Sequence, residues 1–222
     1  SYFEAISGFT STGFSIFENI KHIDQSLILW RSSSQWVGGL YFLFSIILLI
    51  DLFDNDLKKT VTNFLSFNIS ETLKQSSKIL ILYILLTLLI FIVLKIFELR
   101  SFVSFNLAMT LISSGGFLPV NSLESIINTN TKEIIFGFLM LVSFFSIFLS
   151  YNLFYFKNKN INFFKEDIIL AIYFILLLAL FFLFLNIDFN FSSLFLSLTS
   201  SISNIGFSLK NSSQDFSIIF LI

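Results

Sequence analysis

The sequence predicts an all-α membrane protein made of repeated units, each an outer helix, a re-entrant pore helix with its filter loop, and an inner helix, arranged pseudo-fourfold around one pore. Three observations carry this. Of the 222 residues, 55% are hydrophobic and 12% charged, with a mean hydropathy of +0.88, whereas globular chains carry roughly a quarter charged residues. Four apolar segments are long enough to cross a bilayer, and the single proline, Pro119, lies in none of them. A glycine-phenylalanine loop follows a half-length apolar segment three times along the chain.

The clearest span runs from Ile79 to Phe97, and the others from Leu27 to Ile50, Ile134 to Phe156 and Ile168 to Ile187, with a fifth starting near Phe216. A lipid-exposed backbone must satisfy its own hydrogen bonds, so in the absence of two-residue alternation these are helices and not barrel strands. Between them lie Tyr2 to Thr10, Ser104 to Ser114 and Phe191 to Ile202. Each is about ten residues, too short to span and suited to a re-entrant element.

The glycines that end these half-spans, Gly13, Gly116 and Gly206, set a common register. Three positions earlier stand Thr10, Ser113 and Ser203; six earlier, Ser7, Thr110 and Ser200; one later, Phe14, Phe117 and Phe207. Repetition of a pattern at long spacing marks an internal repeat. The units then read as 1–50 (pore helix, filter loop and inner helix of the first repeat), 51–78 (a cytoplasmic linker), 79–156 (the second repeat) and 157–222 (the third, truncated in its inner helix). The first outer helix and a fourth repeat are expected outside this stretch. With all three loops on one face, the opposite face holds Lys58, Lys59, Lys74, Lys78, Lys157, Lys159 and Lys165, seven of the thirteen basic residues, and positive-inside bias makes that face cytoplasmic.

Irregular backbone at membrane depth survives only against protein or a watery cavity. Glycine lets carbonyls turn toward a shared axis, and a ring of carbonyls replaces the hydration shell of a cation. Short helices aiming their negative C-terminal poles at that axis disfavour anions. The alternative use of Ser, Thr and Gly is close helix packing in a non-transporting scaffold or receptor; three copies in register, each after a half-span, favour the loop reading.

"FEAISGFTSTGFS" followed by "LILWRSSSQWVGGL" resembles the first filter loop and inner helix of the TrkH/KtrB/HKT superfamily of potassium transporters, its TrkH branch in particular. "AMTLISSGGF" resembles the second filter loop, and "SLTSSISNIGFSL" the third, with Asn204 and Ile205 where Thr is usual. The resemblance implies potassium uptake across the bacterial inner membrane by a multi-pass protein, without catalysis or cofactor. The implied ion-binding residues are Thr10, Ser11, Thr12 and Gly13; Ser113, Ser114, Gly115 and Gly116; and Ser203, Asn204, Ile205 and Gly206. Glycine at the filter position implies potassium over sodium, and a sodium-permeable transporter of the same fold is the alternative. The family also implies a homodimer and a cytosolic nucleotide-binding regulatory subunit of the TrkA or KtrA type.

Other function classes find little support. The net charge is −1 and no basic patch alternates with aromatics, which excludes nucleic acid. Cysteine is absent, so thiolate metal sites are excluded. His22, the one histidine, falls in a polar loop without a partner for a serine nucleophile. Asp51, Asp54 and Asp56 lack the Gly and terminal Glu of a calcium loop. Trp30 and Arg31 read as an interfacial aromatic and a snorkelling base, and Phe14 as the anchor of the first loop's return. Glu4, at the start of the first pore helix, complements the helix dipole, with attraction of cations to the outer mouth as its alternative role.

Overall fold

The computed structural model describes residues 2–17, 19–53, 69–155 and 191–207, with 169, 172–176 and 179 besides. Among these the regular elements are all helical: α1 (Tyr2–Phe9), α2 (Gln25–Phe53), α3 (Ile69–Ile96), α4 (Ser101–Ile112), α5 (Asn130–Tyr155) and α6 (Phe191–Ile202), with 3-10 turns at Ile20–His22 and Leu123–Ser125. The linker interior, the span expected over Ile168–Ile187 and the segment after Phe207 lie largely outside the described residues.

Helix α3 begins at Ile69 and not at Ile79, continuing a turn-rich sequence that contains no Gly or Pro to stop it. Among the described residues, its stretch Ser77–Ile96 is the segment long and apolar enough to cross a membrane; twenty residues rise about 30 Å. Ile81, Leu85, Leu88, Ile92 and Ile96 on its outer face are exposed. In water such a row would be an uncovered apolar patch. In lipid it is ordinary.

The core gathers around α4. Leu107, Ala108 and Leu111 are wholly buried against Ile90 and Leu94 of α3, Met140 of α5 and Leu196 of α6. A helix buried over most of its length, here at Ser104 and from Asn106 to Ile112, has no water for its polar side chains, and α4 satisfies most of them internally. Ser104 Oγ donates to the Arg100 carbonyl (3.2 Å), Asn106 Nδ2 to Phe102 (2.7 Å), Thr110 Oγ1 to Asn106 (3.0 Å) and Ser113 Oγ to Met109 (2.9 Å). Such bonding to the carbonyl four residues back is what Ser and Thr can offer inside a helix. It lets a half-polar segment sit in an apolar interior.

Helix neighbours follow a staggered order. Helix α2, after the first loop, packs on its own α1 and also on α4, the short helix of the second loop; α5, after the second loop, packs on α6, the short helix of the third. Each long helix thus supports the next short one. Small residues permit the contact: Gly38 of α2 lies against the Phe9 carbonyl at the end of α1, and Gly39 against Ser113 at the end of α4. A glycine inside a helix costs about 1 kcal/mol relative to alanine, and the close approach explains why two stand together here.

Candidate functional site

The three glycine loops share one backbone conformation. After α1, α4 and α6 the chain turns through a left-handed residue, Ser11 (φ 54°), Ser114 (φ 52°) and Asn204 (φ 56°), and two residues later through Gly13 (φ 75°), Gly116 (φ 78°) and Gly206 (φ 75°). The hydrogen bonds repeat as well. Thr12 N–H reaches back to the Ser7 carbonyl (3.1 Å), Gly115 to Thr110 (2.9 Å) and Ile205 to Ser200 (3.1 Å); Ser11 donates to Gly8 (3.0 Å), Ser114 to Leu111 (3.2 Å) and Asn204 to Ser201 (3.2 Å). This pair of bonds is the Schellman arrangement that closes a helix C-terminus. The position before the left-handed residue repeats its side-chain bond too: Thr10, Ser113 and Ser203 each donate to the carbonyl four residues back, at 2.7, 2.9 and 2.6 Å.

The loops meet in sequence. A β-carbon built on Gly13 would stand 2.6 Å from the Gly115 carbonyl oxygen, and one built on Gly116 would stand 2.6 Å from the Ile205 oxygen. Each glycine thus faces the carbonyl just before the glycine of the next loop. Gly206 faces nothing within 4 Å among the described residues. The phenylalanines look the opposite way. Phe117 is 3% exposed under the Arg31 guanidinium of α2, 4.2 Å from its ring centre, and Phe207 is 4% exposed beside Phe136 of α5. Phe14 is 72% exposed, so it does not anchor its loop as expected. Its counterparts are covered by Arg31 of α2 and Phe136 of α5.

Behind the loops lies a cavity of about 780 Å³ lined by Thr10, Ser11, Ser113, Ser114, Ser203 and Asn204, together with Gly38, Gly39 and apolar residues of α2 and α5. Its described lining carries no charge. The C-terminal ends of three short helices open onto it, each a source of partial negative charge. Six of the twelve expected site residues thus share one cavity, and Gly13, Gly115, Gly116 and Ile205 meet between the loops. Thr12 points elsewhere, its hydroxyl bonding to Thr10 Oγ1 (2.9 Å) and the Ser7 carbonyl (3.3 Å). Gly206 meets no other loop among the described residues. The Ile205 side chain is 4% exposed within the core cluster, so an apolar residue there leaves the loop with only its carbonyl to offer.

Glu4 and Arg31 take roles that their positions in sequence did not suggest. Both are 1% exposed, and Arg31 Nε donates to Glu4 Oε2 at 3.0 Å. Glu4 Oε1 accepts from Ser15 Oγ and from Ile16 N–H, both at 2.8 Å, and Arg31 Nη2 reaches Ser15 Oγ at 2.8 Å. Arg31 therefore does not snorkel and Glu4 does not face the mouth. Glu4 does occupy the first turn of α1, where a carboxylate suits the helix dipole. Together they tie α1, α2 and the stretch that descends from Gly13. A second clasp joins the first two return loops, where Asn121 Oδ1 accepts from Ile20 N–H (2.8 Å) and Asn121 Nδ2 donates to Asn19 Oδ1 (2.9 Å). His22 is exposed.

Sequence reasoning missed Gln35, which is fully buried and donates through Nε2 to the Gly115 carbonyl. The available signal was an amide well inside an apolar span, the other amide of α2, Gln25, standing at its first position. Gly38 and Gly39 were also missed, although a glycine pair in a long helix is itself a mark of close packing.

No family model and no solved structure matches the chain. Among curated proteins it is similar to an uncharacterized cation transporter of Methanocaldococcus jannaschii, with 29% identity over 145 residues. That alignment covers 62% of this chain and 29% of the relative, so the chain spans under a third of the relative's length.

Proposed function

We propose that the protein conducts potassium across a membrane through a ring of filter loops, of which Thr10–Gly13, Ser113–Gly116 and Ser203–Gly206 are three. The observation that carries the reading is the successive meeting of identically folded loops above a neutral, hydroxyl-lined cavity at three helix C-termini. Among the described residues nothing in the lining compensates an anion, while backbone and hydroxyl oxygens suit a cation of low charge density. The likeness to a named cation transporter supports cation transport in general. Potassium in particular rests on the three filter glycines and on the resemblance to TrkH-type transporters.

The ring closes, in this reading, through one further unit. Among the described residues Gly206 faces no carbonyl of the kind that Gly13 and Gly116 face, and Phe14 is not covered as Phe117 and Phe207 are. One unit of the same design fills both gaps, which gives four loops. The long helices are then transmembrane, with several passes through a bacterial inner membrane and with α1, α4 and α6 re-entrant.

The test is rubidium or thallium flux into vesicles holding the intact protein, with potassium and sodium as competitors. Flux that potassium blocks and sodium does not is expected, and Gly13→Ser lowers that preference. Equal competition by sodium selects the weakly selective alternative, and zero flux from folded protein refutes transport.

A further inference from the structure

We infer that Gln35 is a positioning residue for ion selectivity, holding the Gly115 carbonyl at the radius that the filter requires; this rests on the filter reading above. Gln35 sits on α2, the inner helix of the first unit, yet its amide nitrogen donates to the second loop. The bond identifies the amide orientation, because a carbonyl only accepts and the –NH₂ end alone donates. Gln35 Oε1 is left buried without a partner. An orphaned buried oxygen is a standing cost, so packing alone gives no reason for an amide here; an aliphatic side chain of equal length would fill the space without it.

Position makes the bond consequential. The Gly115 oxygen lies beside Gly13, and the Gln35 amide occupies the space that a β-carbon on Gly115 would need, closer than such an atom would tolerate. Gly115 is thus wedged between the neighbouring filter glycine and Gln35. The equivalent carbonyl of the third loop, Ile205, faces Gly116 in the same way, but the Gln35 amide donates to the carbonyl of the second loop. A neutral donor bonded to a carbonyl oxygen holds that oxygen in place and fixes its distance from the axis. Without that donor the oxygen is free to move inward, and a narrower ring favours sodium.

The experiment uses the intact protein with Gln35→Met, which keeps length and volume and removes the donor, and with Gln35→Leu as a second shape. Two readings are taken on each: the potassium-to-sodium competition ratio in rubidium flux, and the difference in detergent melting temperature between potassium and sodium chloride, which reports ion binding without transport. The inference expects both variants to fold and conduct, with the ratio lowered about fivefold, the net worth of one hydrogen bond, and with the melting difference reduced in parallel. Unchanged ratio and melting difference in a conducting variant overturn it while leaving the filter reading intact. Failure of both variants to fold also overturns it, by assigning Gln35 to the framework. Absence of flux and of any ion-specific melting shift in the unmodified protein overturns the filter reading, and this inference with it.

Discussion

Replacing Arg31 with methionine removes one side of an ion pair that has almost no contact with solvent. Glu4 Oε2 then loses its partner, while Oε1 keeps the Ser15 hydroxyl and the Ile16 amide. Stranding one charge of a buried pair costs about 3–5 kcal/mol, a large part of the roughly 5–15 kcal/mol that holds a domain together. Glu4→Gln keeps the carboxylate's shape and strands Arg31 instead; the Phe117 face at 4.2 Å offsets part of that charge, so this variant falls at the lower end, about 3 kcal/mol. The double variant buries no ion at all. Its loss is therefore smaller than the sum of the single losses by about 2–3 kcal/mol, within the range of coupled contacts. The assay is a denaturant unfolding cycle in detergent across the four proteins. Single losses below about 1 kcal/mol, the level of an exposed pair, or a double variant that equals the sum, would refute the argument that the pair is buried and interdependent.

Three further outcomes follow from the loop geometry. Gly38→Ala inserts a methyl group against the Phe9 carbonyl and lowers stability by about 3 kcal/mol, an overpacking cost; a loss under about 1 kcal/mol in the same unfolding assay refutes the close contact. Ser11→Gly relieves a left-handed backbone and removes a buried hydroxyl without a partner, so it raises stability by about 1 kcal/mol, read as a higher unfolding midpoint. In the intact protein Gly206→Ala destabilises as much as Gly13→Ala, because ring closure brings a carbonyl to each; a loss of only about 1–2 kcal/mol for Gly206→Ala, the left-handed backbone term alone, leaves the ring open.

The short helices were legible because their signal is local. Apolar runs of about ten residues, ended by Gly-Phe and rich in Ser and Thr, give α1, α4 and α6 near their expected ends, and the repeated hydroxyls at Thr10, Ser113 and Ser203 make the same bond to backbone in each. The ion pair was not legible. Glu4 and Arg31 are far apart in sequence, each has a plausible interfacial role alone, and only the approach of α1 to α2 brings them together. Gln35 was hidden for the same reason, since its partner lies 80 residues away. The exposed state of Phe14 could not be read from its own loop, because covering the ring depends on side chains of another helix, as it does for Phe117 and Phe207.

That dependence shows how such a site divides its information. Everything repeated in the three loops, the left-handed turn, the glycine two residues on and the hydroxyl bond to the fourth carbonyl back, is determined within about ten residues and survives changes such as Ile205, whose side chain faces the core. Everything that differs between them comes from a neighbouring unit: Arg31 over Phe117, Phe136 beside Phe207, Gln35 behind Gly115. A loop made only of its own sequence would give a symmetric ring, with each carbonyl held equally. The inner helices break that symmetry one contact at a time. Ion preference is therefore expected to respond to substitutions on α2 that touch no ion, and more strongly there than at Thr10, Ser113 and Ser203, whose hydroxyl bonds are already committed to their own helices.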